Sequence, residues 1–286
     1  MKKKIMITAA AVITAVTAIF FILAGKENVS TATGSGNEEV ALPIIMYHSV
    51  CVNTKVDSEY YMTPEAFEED MKYLCSHGYK SVFPADAVRY VKNGTPLPEK
   101  PVIISIDDGY YNVLENVLPV LEKYGMKANV NIVGEYADEY SENGIKNAAY
   151  SYLSWESVKE LADSGRIETG SHTYAMHRLS PRKGCSRMAT ESAEHYKKAL
   201  TDDLTALNTK LKENCGIDCR VFAYPYGELC DDALPVLTAL GFEAALTCSE
   251  HVNRLTREPA VLMNLGRINR NSRLSTSQFM SRNGIE

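Results

Sequence analysis

Two carboxylates standing side by side after an apolar run are the first feature with chemical potential. Pro101–Ile106 (PVIISI) reads as a buried strand and is followed at once by Asp107, Asp108 and Gly109. Adjacent carboxylates at the end of such a strand repel each other and are costly to desolvate, a cost that a metal ion or a basic partner relieves. Asp and Gly are also ordinary strand-ending turn residues, so the pair alone reads first as a turn. His172 and His177 change that balance. They lie on one loop, spaced H-T-x-x-x-H, after the next-but-one strong strand. Two imidazoles and one carboxylate make a three-ligand site for a borderline divalent metal, Zn first and Co or Ni as alternatives. The fourth position stays open to water, as in catalytic rather than structural sites. The competing reading is a pair of solvent-exposed loop histidines. His48 ends another apolar run and becomes a candidate because it falls at the same rim. His77, His195 and His251 sit in helical or loop contexts without partners and read as surface residues.

These residues need a scaffold that gathers strand ends, and the chain reads as one. Short strands are expected at Leu42–Tyr47, Val82–Phe83, Pro101–Ile106, Ala128–Val133, Arg166–Gly170, Arg220–Ala223, Glu243–Thr247 and Met263–Ile268. Between them, helical spacing recurs after Thr63-Pro64, up to Gly94, over Val113–Tyr124, from Ser154 to Ala162, over Ala189–Glu213 and over Asp231–Leu240. Strands alternating with helices imply parallel pairing through right-handed crossovers. The fold class expected is α/β: a distorted, nearly closed (β/α) barrel of about seven strands. In such barrels chemistry sits where strands end and loops begin. Tyr47-His48-Ser49, Asp107-Asp108-Gly109, Ser171-His172-Thr173 and Tyr224-Pro225-Tyr226-Gly227 all fall there. Tyr110, Tyr111, Tyr174, Tyr224, Tyr226 and Trp155 cluster near the same rim, placed either to stack on sugar rings or to pack loops.

Composition bounds the rest. The chain has 286 residues, 45% hydrophobic and 23% charged, which excludes a disordered, collagen-like or polytopic membrane protein. A formal charge of −6 argues against electrostatic binding to nucleic acid. None of the seven cysteines forms a CxxC pair, which argues against a structural zinc site, while Cys215 and Cys219 flank a Gly-Ile-Asp turn and are placed to pair. Lys2–Lys4 precede a charge-free run from Ile5 to Ala24. A helix of that length spans the bilayer, and the basic side stays cytoplasmic. Residues 1–26 are therefore expected to be a membrane anchor or a signal sequence. The run is longer than a usual signal core and no clean A-x-A site follows, which favours the anchor. Residues 27–40 read as a flexible linker, and residues 41–286 as the folded part on the extracellular face of the membrane, or secreted.

SIDDGY, SHTYAMH and FAYPYG, in that order, resemble the polysaccharide deacetylases of carbohydrate esterase family four over about residues 41–270. These enzymes remove acetyl groups from acetylated sugar polymers on a distorted (β/α) barrel. The resemblance implies that Asp107 is the catalytic base, that Asp108 joins His172 and His177 as metal ligands, and that the Tyr226 backbone N–H holds the oxyanion. The longer H-T-x-x-x-H loop is like the branch that deacetylates poly-N-acetylglucosamine. Ala223 stands where the family usually has an Arg that orients the catalytic aspartate, and Arg267 is the candidate replacement. The family's Leu-x-His near the C-terminus is missing. In the poly-N-acetylglucosamine branch an equivalent His lies early, within M-Y-H-S, as Met46-Tyr47-His48-Ser49 does here, which moves the acid role to His48. The resemblance thus implies a metal-dependent hydrolase removing N-acetyl groups from an N-acetylglucosamine-containing polysaccharide: poly-N-acetylglucosamine, peptidoglycan or chitin-like. An O-acetyl esterase acting on a xylan-type glycan and a non-catalytic glycan-binding protein are the alternatives.

Overall fold

The computed structural model describes residues 39–52 and 59–286. The apolar run expected to anchor the chain lies outside them. Among the described residues, no helix is long and apolar enough to cross a membrane.

Seven parallel strands build the barrel wall: β1 (Ile44–Tyr47), β2 (Pro101–Ile106), β3 (Ala128–Ile132), β4 (Ile167–Ser171), β5 (Val221–Ala223), β6 (Ala244–Leu246) and β7 (Ile268–Asn269). Their order around the arc is β6-β5-β4-β3-β2-β1-β7. Each step is parallel, with Ile45 opposite Ile104, Ser105 opposite Asn129, Asn131 opposite Gly170 and Ile45 opposite Ile268. Leu265, just before β7, makes an isolated parallel bridge to Leu246 of β6, so a single bridge joins the two edges of the arc. The expectation of a nearly closed barrel holds in this form. β1 and β2 are buried at every residue, as strands covered on both faces must be.

Among the described residues, eight α-helices surround the wall: α1 (Pro64–Ser76), α2 (Pro84–Asn93), α3 (Leu118–Tyr124), α4 (Gly134–Asn143), α5 (Trp155–Asp163), α6 (Ala193–Cys215), α7 (Ala233–Ala239) and α8 (Thr276–Arg282). Local chemistry explains their ends. Thr63, Ser154 and Ser192 each cap a helix by accepting a backbone N–H from its first turn. α6 buries Tyr196, Leu200, Leu204, Leu207 and Leu211, one stripe of an amphipathic helix. In β3, Ala128, Val130 and Ile132 join the outer core, while Asn129 and Asn131 take the alternate face. Inside the barrel a buried polar group, Ser105, Asn129, Asn131 and Arg267, lies alongside a second apolar cluster that includes Ile44, Ile103 and Leu246.

Several expected boundaries shift. The expected strand Met263–Ile268 is instead a 3-10 turn over Pro259–Asn264 followed by the two-residue β7. Pro259 starts that turn, and an apolar run of this length does not by itself distinguish strand from helix. The helix expected over Val113–Tyr124 opens as a π-turn at Val113–Val117. The extended step lies at Lys80–Ser81 rather than at Val82–Phe83. Cys215 and Cys219 are unbridged; their thiols donate to the Trp155 and Val221 carbonyls.

Candidate active site

The strand ends deliver the expected residues to one cleft of about 660 Å³, lined among others by His48, Asp107, Asp108, His172, His177 and Tyr226. β2 ends at Ile106 and the chain turns sharply, with Asp108 and Gly109 both at positive φ (72° and 70°). Thr173, just after β4, and Tyr226, after β5, also hold positive φ (73° and 57°). Among the described residues these three are the only non-glycine residues so placed, and all three stand in or beside the site. Such strain persists only where the surroundings impose it.

Those surroundings are visible around the histidine loop. Asp203 on α6 accepts the backbone N–H groups of Tyr174 (2.7 Å) and Ala175 (2.8 Å). The loop's Thr173 and Tyr174 carbonyls in turn accept from Gly134 and Glu135 at the start of α4. The first half of the loop from His172 to His177 is thereby held from two sides. Asp203 carried no signal in the sequence, because it reads there as one more polar residue on a long helix.

Asp108 Oδ1 lies 3.2 Å from His177 Nε2 and 3.6 Å from His172 Nε2. The three ligand atoms all fall within 4.8 Å of one another. His172 Nδ1 is 2.8 Å from the Ala223 carbonyl, so that nitrogen carries the proton. Burial pushes the His172 ring down to about 4, keeping it neutral, with Asp107 pulling the other way. Its Nε2 therefore turns a lone pair toward a carboxylate oxygen. Two lone pairs facing each other across 3.6 Å at a buried site are satisfied by a cation between them. The residues present thus fit a divalent metal, and the Ala223 carbonyl that fixes the His172 tautomer is the kind of partner metal-binding imidazoles use. Burial raises the Asp108 carboxyl, but the His177 hydrogen bond and the nearby histidines bring it below its usual value. His177 moves the other way: burial lowers it, and Asp108 more than offsets that.

Asp107 is held differently. Burial raises its carboxyl, but the Arg267 guanidinium, then His172 and His48, hold it well below the carboxylate range. Arg267 Nη1 donates to Asp107 Oδ1 at 2.6 Å and to the Ser105 hydroxyl at 3.0 Å, while its Nε donates to the Thr247 carbonyl. The arginine expected to replace the one absent at Ala223 therefore does contact Asp107. The Asn131 side-chain amide donates to the same Asp107 oxygen at 2.7 Å. Nothing in the sequence singles out Asn131, which sits unmarked inside a strand. Asp107 Oδ2 is left facing the cleft, 3.9 Å from His172 Nε2.

His48 lines the cleft with its ring edge-on to Tyr60 (4.8 Å between centroids), and its Nδ1 is buried without a hydrogen-bond partner. Tyr226 stacks on His177 at 4.7 Å. Among the rim aromatics, Tyr110 and Tyr226 line the cleft. Tyr111, Tyr224 and Trp155 are buried, and Tyr174 packs on the core and donates its hydroxyl to Asp138. His77 and His195 are exposed as expected, but His195 pairs with Glu191 at 2.7 Å and His77 stacks on Tyr73.

Comparison with known proteins places this geometry in a lineage. A family model described as polysaccharide deacetylase matches residues 94–245, just over half of the chain. A Bacillus subtilis (strain 168) relative, YxkH, is 28% identical over 225 residues, 78% of this chain and 70% of the relative. The poly-beta-1,6-N-acetyl-D-glucosamine N-deacetylase of Escherichia coli (strain K12) is 26% identical over 226 residues, 69% of this chain. This chain spans only 33% of that relative's length. The solved structure of IcaB from Ammonifex degensii superposes with a TM-score of 0.70 at 27% identity, covering 84% of this chain and 96% of that one. The matched segment holds Asp107, Asp108, His172, His177 and Tyr226, whereas His48 and Arg267 lie outside it. The chain belongs to the polysaccharide deacetylase family, and with it to the hydrolases that act on carbon–nitrogen bonds other than peptide bonds.

Proposed function

We propose that this protein removes N-acetyl groups from an extracellular poly-N-acetylglucosamine-type polysaccharide, with one divalent metal, Zn first among candidates, held by Asp108, His172 and His177. The observation that carries the reading is the facing pair of lone pairs on His172 Nε2 and Asp108 Oδ1, 3.6 Å apart, beside a second aspartate clamped by a buried arginine. The E. coli relative bears the name of such an activity, and the IcaB structure shares the fold across most of both chains. A location outside the cell is part of the proposal, supported by Lys2–Lys4 and the charge-free run behind them.

When bound, the metal would supply Lewis acidity toward the acetyl carbonyl and lower the pKa of a water ligand. The remaining work falls to the chain's own groups. Asp107 accepts a proton from the attacking water at Oδ2, the oxygen that Arg267 and Asn131 leave free. Arg267 fixes the carboxylate's orientation and keeps it ionised. The Tyr226 backbone N–H holds the developing oxyanion. His48 delivers a proton to the departing nitrogen, because an amine leaves poorly as its anion. Tyr110 and Tyr226 offer ring faces to a pyranose in the cleft.

The test is acetate release by the purified protein from β-1,6-N-acetylglucosamine, chitin, peptidoglycan and acetylxylan oligomers, each with and without chelator. Chelator-sensitive release that is fastest from the β-1,6 oligomer supports the reading. Fastest release from acetylxylan would make it an O-acetyl esterase. Glycan binding with no acetate released after metal addition would make it a binding protein.

A further inference from the structure

The clamp on Asp107 has a second half. Asn131 is fully buried on β3, and its Nδ2 donates to Asp107 Oδ1 (2.7 Å) and lies 3.2 Å from the Ser105 hydroxyl. Arg267 Nη1 reaches the same two atoms at 2.6 and 3.0 Å. The carboxylate oxygen is thus bracketed by two donors from opposite sides of β2, Asn131 on β3 and Arg267 just before β7. A charged donor alone would leave the carboxylate free to swing about its own bond. A second donor at a different angle fixes the plane and points Oδ2 into the cleft.

Asn131 can take this position only because of its cross-strand neighbour. Gly170 lies directly opposite on β4. A β-carbon there would sit 2.1 Å from Asn131 Oδ1 and 2.9 Å from Asn129 Nδ2. The backbone of Gly170 does not adopt a left-handed conformation, so its conformation is open to other residues. What a side chain at 170 would displace first and furthest is the Asn131 amide, with a smaller shift of Asn129.

We propose that Asn131, seated by the absence of a side chain at Gly170, is a positioning residue for the base Asp107. The inference rests on the reading of Asp107 as base given above. Hydrogen bonds to charged groups are among the stronger ones, so losing this donor should lower kcat about 10- to 100-fold. KM and metal content should change little, since neither the metal ligands nor the rim is touched.

The experiment is a double-variant cycle on the full chain: Asn131→Ala, Gly170→Ala and the two together, with Asn131→Asp and Asp107→Asn alongside. Acetate release from a β-1,6-N-acetylglucosamine oligomer gives kcat and KM, and elemental analysis gives metal content. Asn131→Ala and Gly170→Ala should each reduce kcat with KM preserved. In the Asn131→Ala background, Gly170→Ala should cost much less than it does alone, because the severe clash is gone and only the 2.9 Å approach to Asn129 Nδ2 remains. Asn131→Asp keeps the shape but loses the donor, and should fall at least as far as Asn131→Ala. The proposal is overturned if Asn131→Ala retains full kcat, or if the two losses multiply, which would mark Gly170 as a packing residue independent of Asn131. Asp107→Asn separates the two readings. If that variant turns over normally, the base assignment fails. If it is inactive while Asn131→Ala is normal, only the positioning role fails.

Discussion

Replacing Glu168 by Gln should stabilise the protein above neutrality and leave it nearly unchanged in acid. Glu168 lies on β4 two residues before Gly170, toward the amino-terminal end of the strand and away from the cleft. Its Oε2 accepts from the Ala85 N–H in the first turn of α2, at 3.1 Å. Burial is the main force raising its carboxyl from 4.5 to about 7; the Ala85 hydrogen bond opposes the rise and Asp86 adds to it. The folded protein therefore keeps a proton that the unfolded chain releases near 4.5, so stability falls as the pH climbs from there through about 7 and then levels off. At about 1.4 kcal/mol per tenfold the ceiling is about 3 kcal/mol, and residual solvent contact brings the expected figure to about 1–2 kcal/mol. Glutamine keeps the acceptor for Ala85 and cannot ionise. Thermal melts of both proteins from pH 5 to pH 8 would read this out. At roughly 2–4 °C per kcal/mol for a protein of this size, Glu168→Gln should melt about 2–8 °C higher at pH 8 and within a degree or so of the parent at pH 5. An equal gap at both ends of the range, or a gain confined to acid, would refute the reasoning.

Three further outcomes are expected. Asp108→Ala should abolish stoichiometric zinc or cobalt binding by calorimetry as well as turnover, and unchanged affinity would count against its place among the ligands. His48→Ala should lower turnover on the order of 10²-fold while elemental analysis still finds one metal per chain. Asp70→Asn should cost about 3–5 kcal/mol in urea unfolding. Asp70 is fully buried and bonds Arg270 Nε and Nη2, the Tyr47 hydroxyl and the Thr276 hydroxyl, so neutralising it strands a buried guanidinium. A loss under 1 kcal/mol would show that water reaches the pair.

The strands and most helices were legible because their signals are local: an apolar run such as PVIISI, a Thr-Pro start, a glycine stop. The grouping of Asp108, His172 and His177 was legible for a related reason, since Asp108 and His172 follow strand ends, His177 shares the loop of His172, and barrels collect strand ends. Arg267 needed the resemblance to mark it, and the structure supplied the contact. What stayed hidden is carried by pairs distant in sequence. Asn131 looks like an interruption of a strand until Gly170 is placed opposite it. Asp203 looks like helix surface until the Tyr174 and Ala175 N–H groups arrive. α4 opens on a glycine and continues through polar residues, so neither a cap nor a clean apolar stripe announces it. The stretch before β7 is apolar enough for a strand, but Pro259 starts a 3-10 turn there instead.

The single bridge between the edge strands β6 and β7 has a practical consequence. Asp108, His172 and His177 follow β2 and β4, whereas Arg267 lies two residues after the bridging Leu265 and donates to the Thr247 carbonyl just beyond β6. Loosening that bridge would remove the guanidinium that holds Asp107 without disturbing Asp108, His172 or His177. If the proposed function holds, a preparation damaged in this way would still take up metal and yet be dead, so a titration of working enzyme would have to count acetate turned over rather than ions bound.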